Sequence, residues 1–358
     1  MATGRRPSTA TLDSDPAALA DELCALGRAA GLDAVGIAGA HPFDRARRAL
    51  EERKAAGLHG GMHFTYGNPV RATDPSRSVP GAQALVVGAR AYRRAPAGER
   101  PPNAAAVAAY SWRDHYAPLR DALAVVADRL RADGWQAKVL VDDNALVDRE
   151  AAYRAGIGWF GKNANLLIPG AGSWFVLGSV VTDAPLPADA ADAPVADGCG
   201  TCTRCMPACP TGALVAPGVL DARRCLAWLL EAPGDFPVEH RAALGGRIYG
   251  CDECQEACPP NRAADRHHPP PPAEPDAEPW VDLVDLLDND DGTLLARFGR
   301  WYVPRRDPRY LRRNALVALG NVGDPADPGV RRVVHAARTG DDPMLREHAD
   351  WAAAHLGL

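Results

Sequence analysis

Eight of the nine cysteines in this 358-residue chain lie between positions 199 and 258, and their spacing constrains everything around them. The first run reads Cys199-Gly-Thr-Cys202-Thr-Arg-Cys205-Met-Pro-Ala-Cys209-Pro210. The second reads Cys251-Asp-Glu-Cys254-Gln-Glu-Ala-Cys258-Pro259, and Cys225 stands between them. A C-x2-C-x2-C-x3-C-P run is the spacing of bacterial two-cluster ferredoxins. A loop turning back every third residue wraps three thiolates around one iron–sulfur cube, and the fourth thiolate serves the neighbouring cube. By that logic Cys258 completes the set of Cys199, Cys202 and Cys205, while Cys209 and Cys225 complete that of Cys251 and Cys254. Eight thiolates then match two [4Fe–4S] clusters. Structural zinc is the alternative, as two sites of four thiolates each, because C-x2-C pairs also occur there. The third evenly spaced cysteine and the Cys-Pro closing both runs favour clusters. Disulfides fit poorly with reduced-compartment features and with an odd ninth cysteine, Cys24.

A net charge of −5 argues against a uniformly basic nucleic-acid binder but leaves room for local patches. No apolar run approaches the ~20 residues of a spanning helix, so no membrane association is expected. Residues 1–15 are polar, without the apolar stretch of an export signal, and read as a disordered lead-in. A cytoplasmic protein is expected.

Leu19, Leu23 and Leu26 recur at helical spacing behind Asp15 and Pro16, which predicts a helix over 16–31, with Cys24 as core filler. Strands are expected over 33–39, 84–88, 104–110 and 135–141, and helices over 43–56, 113–133 and 145–155. Two further apolar segments cover 165–168 and 174–182. This alternation suggests an α/β unit. Residues 185–197 read as an Ala/Asp/Pro linker, and the prolines from Pro269 through Pro279 as an extended, solvated strap. From about Tyr310 three short helices are expected, the last two started by Asp327-Pro328 and Asp342-Pro343 and stacked as in a HEAT-like pair. The expected division is a lead-in over 1–15, an α/β unit over 16–190, a two-cluster unit over 191–264, a Pro-rich linker over 265–280 and a helical part over 281–358.

Several motifs bear on chemistry. Asp142 falls at the carboxyl end of an expected strand, where α/β units place ligands; with Asp143 it equally suits simple capping. Asp148-Arg149-Glu150 reads as an ordinary surface ion pair. Gly156-Ile-Gly158-Trp-Phe-Gly161-Lys162 matches a dinucleotide fingerprint in the wrong context, and Asn163 removes the hydroxyl a P-loop needs. A cofactor-contacting turn and a plain structural turn both remain open there. Asp265-Arg-His267 begins like a corrinoid-binding D-x-H-x-x-G, but Pro270 stands where glycine is required. Residues 300–313 carry six arginines, one acid and interleaved aromatics, which suits phosphate contact and base stacking, or a solvated face.

Taken in order, His59-Gly-x-Met62, Val141-Asp142 with Asp148-Arg149, Gly156-x-Gly-Trp159-x-Gly-Lys162, Gly172-Ser173, the cysteine run to Gly212, Asp221-Ala-Arg-Arg-Cys225, Arg247-Ile-Tyr-Gly-Cys251 and Leu311-Arg-Arg-Asn-Ala-Leu-Val-Ala-Leu319 resemble the epoxyqueuosine reductase family over nearly the whole chain. The resemblance implies an oxidoreductase that converts epoxyqueuosine to queuosine at the wobble position of tRNA anticodons, the last step of queuosine biosynthesis. It implies an α+β multidomain fold: a nitroreductase-like cobalamin-binding α/β domain, a ferredoxin-like two-cluster domain and a HEAT-like helical part. Implied cofactors are two [4Fe–4S] clusters and cobalamin, resting as cob(II)alamin. Implied partners are a queuosine-type tRNA and a low-potential donor such as flavodoxin or ferredoxin, acting on a monomer. Asp142 matches the family's proton donor. Lys162, Asn163, Ser173 and Asp252 fall in segments expected to line cobalamin, and Arg305, Arg306, Arg309, Arg312 and Arg313 become expected tRNA contacts. The chain departs from the family at Asp114-His115-Tyr116, where Asp-Tyr-His is usual, at Ala145 in place of Pro, and at Pro260 in place of Trp. Two other readings are a dehalogenase-like corrinoid reductase, which needs no arginine-rich platform, and an electron-transfer adaptor, which leaves Asp142 unexplained.

Overall fold

The computed structural model describes residues 15–96, 98–188 and 195–358. Apart from Asp15, the expected lead-in falls outside them, as do residues 189–194 of the first expected linker. The principal strands are β1 Ala34–Gly39, β2 Ala84–Ala91, β3 Ala104–Val107, β4 Ala137–Val141, β5 Phe175–Thr182, β6 Arg247–Tyr249 and β7 Trp280–Asp282. The principal helices are α1 Pro16–Ala29, α2 Asp44–Ala55, α3 Tyr116–Ala132, α4 Asp148–Arg154, α5 Leu226–Glu231, α6 Pro259–His267, α7 Arg309–Val322, α8 Pro328–Thr339 and α9 Pro343–Leu356.

The main sheet runs β1–β2–β5–β4, and every pairing in it is antiparallel. This corrects the α/β reading, since alternating helices and strands normally close a parallel sheet. Here residues 40–83, although they contain α2, return to the end of the sheet they left, bringing Ala84 opposite Gly39 as a hairpin would. Both faces are covered. Leu19 and Leu23 of α1 and Leu119, Leu123, Val126 and Leu130 of α3 bury one face. Phe43, Leu146, Ala151, Ala152 and Ile157 bury the other. The continuous apolar runs of β2 and β5 follow from that double coverage.

Two helices start later than their periodicity suggests. The Asp114 carboxylate accepts the N–H groups of Tyr116 and Ala117, both at 2.9 Å, which sets the start of α3. Asp143 accepts from Ala145 N–H at 2.8 Å and holds a turn that delays α4 to Asp148.

The expected strand over 104–110 ends at Val107 and leaves the main sheet. It pairs in parallel with β6, just before the second cysteine run, and antiparallel with β7, just beyond the proline strap. The strap is therefore no free linker. It is extended and partly exposed, but Ala95 N–H donates to Pro271 O at 2.8 Å, Ala273 N–H to Ala95 O at 2.9 Å and Glu278 N–H to Trp112 O at 2.8 Å. One core consequently runs from Leu19 through Ile248 and Val281 to Ala318 and Ala353. At the end of the chain α7, α8 and α9 stack, with Asp327 and Asp342 capping the latter two through N–H groups of the first turn. Among the described residues no helix is long and apolar enough to cross a membrane.

Candidate active site

The cysteines separate into two groups of four. Cys199, Cys202, Cys205 and Cys258 line one cavity of about 70 Å³. A single ion or water needs only roughly 10–15 Å³ of such space. Among the described residues no three His, Cys, Asp or Glu side chains close around a point that one metal ion could occupy. The cavity is thus roomier than a single ion needs and is lined by four soft thiol ligands. Burial, reinforced by the three other thiols, pushes Cys258 up to about 11. In the second group, burial pushes Cys251 up to about 12 and Cys254 further still, with Cys251, Cys225 and Cys209 adding repulsion at Cys254. Cys209 is lowered despite its burial because N–H groups such as that of Ala213, 3.2 Å from its sulfur, favour the thiolate. Crowded thiolates of this kind ionise together only against metal cations. All nine thiols are free of disulfide.

Most of the singled-out motifs secure these sockets to the sheet. Gly158 lets Leu167 O approach to 2.1 Å of where a Cβ would stand, so residues 156–167 fold into a tight hairpin. Trp159 of that hairpin packs on Gly198, Cys199 and Cys258. Lys162 Nζ donates to Gly200 O at 2.6 Å, and Lys162 and Asn163 both line the four-thiol cavity. Their place is against the first cysteine loop. Gly172, at φ 76°, leaves room for Asn261, whose Oδ1 accepts from Ser173 N–H at 2.7 Å. Gln255 Nε2 donates to Ser173 Oγ at 3.0 Å and to Tyr92 Oη at 3.1 Å, completing a buried network that docks α6 onto the end of β2. Asp252 accepts from Ala109 N–H at 2.7 Å, and burial pushes its carboxyl up to about 6. His59-Gly60 docks on the Cys225 segment, with Gly60 O accepting from Trp228 Nε1 at 2.8 Å.

Asp142 follows β4 in a left-handed conformation, φ 51°. For a residue with a Cβ that conformation costs about 1–3 kcal/mol, a strain that persists only where the surroundings enforce it. Its carboxylate opens to solvent and has no hydrogen-bond partner among the described residues. The protein crowding its other side still raises its pKa by desolvation, with Asp143 and Asp114 adding repulsion and Arg120 opposing. Tyr116, Asp148 and Glu231 each stand within electrostatic reach of it, and Arg149 within reach of Tyr116 and Asp148. Asp148 Oδ1 is buried without a partner, and burial, then Asp142, drives that carboxyl well above the usual range. Burial pushes Glu231 up to about 7. The Tyr116 hydroxyl and the Arg149 guanidinium also lack hydrogen-bond partners among the described residues. The result is a cluster of polar groups without partners and acids whose charged forms are disfavoured. Glu231, Tyr116 and Asp148 were absent from the expected site. The only sequence signal for Glu231 is an acid closing the apolar run Leu226-Ala-Trp-Leu-Leu230.

The arginine-rich segment divides by burial. Arg313 is fully buried, its guanidinium donating to the carbonyls of Leu229, Leu230, Ala232 and Gly234, so it cannot reach a nucleic acid; this corrects its expected role. Arg312 donates to Asp291 and Asn289 O, and Arg309 to Asp307 and Asp342. Arg305 and Arg306 are exposed, left-handed in sequence (φ 55° and 54°), and without side-chain partners among the described residues.

Residues 198–261 match the family described as a 4Fe-4S double cluster binding domain. The chain is 33% identical to the epoxyqueuosine reductase of Bacillus cereus, over 95% of its own length and 89% of the relative's. Against the epoxyqueuosine reductase of Xanthomonas campestris the identity is 35%, over 96% of this chain and 98% of the relative. A solved structure of an epoxyqueuosine reductase with an epoxyqueuosine-modified tRNA-Tyr stem loop superposes with a TM-score of 0.84 at 30% identity, covering 96% of this chain and 92% of that one.

Proposed function

The chain belongs to the epoxyqueuosine reductase family, and from that premise we propose that it removes the epoxide oxygen of epoxyqueuosine in tRNA, leaving queuosine. It is an oxidoreductase carrying [4Fe–4S] chemistry in residues 198–261. We assign one cluster to Cys199, Cys202, Cys205 and Cys258 and the other to Cys209, Cys225, Cys251 and Cys254. A low-potential donor of the flavodoxin or ferredoxin type feeds them one electron at a time.

The observation that carries this reading is the turn at Asp142, strained and presenting a carboxyl without a hydrogen-bond partner among the described residues. Unsatisfied groups at Tyr116, Asp148 and Arg149 fit a large polar-rimmed cofactor such as cobalamin, and these residues would hold it. Lys162 and Ser173 are less suited, since their polar groups already bond within the protein. Cobalamin, when bound, supplies a reduced metal nucleophile suited to opening a strained C–O bond. Asp142, whose surroundings disfavour its charged form, delivers a proton to the departing oxygen. Arg305 and Arg306 offer free guanidinium groups to the tRNA backbone. The test is anaerobic conversion of epoxyqueuosine-containing tRNA by cluster-reconstituted protein and a low-potential reductant, with and without cobalamin, followed by mass spectrometry of the nucleosides. Queuosine is expected only when cobalamin is present. Equal product without it removes cobalamin from the account, and no product from protein holding both clusters and a corrinoid removes this substrate.

A further inference from the structure

Unpaired stretches of nucleic acid are held by two kinds of group acting together, cations on the phosphates and aromatic faces against the bases. Arg305 and Arg306 are of the first kind. The same short segment presents one of the second.

Tyr302 is the most exposed Phe, Tyr or Trp among the described residues, at 57%. Its side chain makes no hydrogen bond and no ring contact among those residues. Its backbone, by contrast, is fixed from both sides. Trp301 is buried, stacked on Tyr249 and on Phe298 with ring centroids 4.6 and 4.5 Å away. Val303 and Pro304 are buried as well, and Tyr302 N–H donates to Tyr249 Oη at 2.8 Å. The left-handed pair that follows costs about 1–3 kcal/mol per residue, and it leaves both arginines exposed on the same stretch. A tyrosine ring has only two side-chain torsions to fix, so covering its face on such a backbone costs little entropy.

The anchor also ties this ring to the acids around Asp142. Tyr249 lies beside Tyr110, ring centroids 6.3 Å apart, and Tyr110 Oη donates to Glu231 Oε1 at 3.3 Å. Tyr302 is thus the outermost member of a continuous chain of contacts that ends in the polar cluster.

We propose that Tyr302 is a stacking platform for an unpaired base next to the modified nucleotide in the anticodon loop, with Arg305 and Arg306 on the adjoining phosphates. This positioning role rests on the reading of the polar cluster at Asp142 as the place that receives epoxyqueuosine. Paired bases hide their faces within the duplex stack, so the ring selects a loop, and because every base has a π-face it does so without demanding a sequence.

The experiment uses cluster-reconstituted, cobalamin-loaded protein and epoxyqueuosine-containing tRNA stem loops with 5-iodouridine on either side of the modified nucleotide in turn. Irradiation joins the iodinated base to an aromatic ring stacked on it, and mass spectrometry of the digest locates the adduct. Affinities of wild type, Tyr302→Ala, Tyr302→Phe and Tyr302→Trp are measured across a salt series beside their unfolding midpoints. The stack predicts an adduct on Tyr302 from one of the two positions. It predicts a loss of about 5- to 100-fold in affinity for Y302A, with Y302F and Y302W close to wild type. The slope of log affinity against log salt should stay at the wild-type value in Y302A, since no phosphate contact is removed. Wild-type affinity in Y302A would overturn the stack, as would adducts confined to other residues. A lowered midpoint with affinity lost equally in Y302F would make Tyr302 merely structural and overturn it too. Should wild type fail to bind the stem loop at all, the tRNA reading itself falls and takes the stack with it.

Discussion

Arg313 and Arg305 lie in one arginine-rich stretch and should respond oppositely to substitution. Arg313→Met leaves the carbonyls of Leu229, Leu230, Ala232 and Gly234 without their shared donor. The expected loss is about 3 kcal/mol or more of stability, read by chemical denaturation. Arg305→Ala and Arg306→Ala should leave the unfolding midpoint at or slightly above wild type. Each should weaken tRNA binding and reduce the slope of log affinity against log salt by about 1. Glu231 gives a pH-dependent case. Its folded pKa of about 7 exceeds the ordinary 4.5, so the unfolded chain ionises first and wild type loses stability as pH rises from 4.5 to 7. Glu231→Gln lacks that loss, and the difference should shift in the variant's favour by up to about 3 kcal/mol between pH 4 and pH 8. Sequence showed six arginines alike; helix phase and the position of α5 decide which is interior, and neither is local information.

At the scale of elements, the caps of the last helices were legible because the signal is local: an acid, then a proline. What Asp327 does beyond capping was not. Its Oδ1 accepts from Gly329 N–H at 2.7 Å, while Oδ2 accepts from Asn103 Nδ2 at 2.8 Å, tying α8 to the residue before β3. Asp327→Ala should therefore cost about 2 kcal/mol, roughly twice Asp342→Ala, whose other link is an exposed bridge to Arg309. Thermal unfolding of the two variants decides this. The same limit explains the sheet. Apolar runs located β1, β2, β4 and β5 within a few residues, but direction depends on where residues 40–83 return, which no periodicity encodes. The glycine-rich turn at 156–162 was ambiguous for a related reason. Its glycines answer to Leu167 and its lysine to Gly200, partners invisible along the chain.

For the molecule as a whole, the cysteine spacing made the cluster unit readable before any coordinate, because ligands every third residue leave few alternatives. The polar cluster was readable only at Asp142. Tyr116, Asp148, Arg149 and Glu231 come from three helices and meet only once the cysteine-rich unit closes over the antiparallel sheet. That closure depends on β6 and β7 pairing with β3 and on the Tyr92–Gln255–Ser173–Asn261 network. The strap pinned at Ala95 makes the two halves of the chain one body with one core. The most direct test is to supply cluster-reconstituted, cobalamin-loaded protein with epoxyqueuosine-containing tRNA and a low-potential reductant, wild type beside Asp142→Asn, and to quantify queuosine by mass spectrometry. The account predicts full conversion by wild type and a loss of at least about 100-fold in the variant at equal cluster and corrinoid content. Equal rates in the two proteins would contradict it.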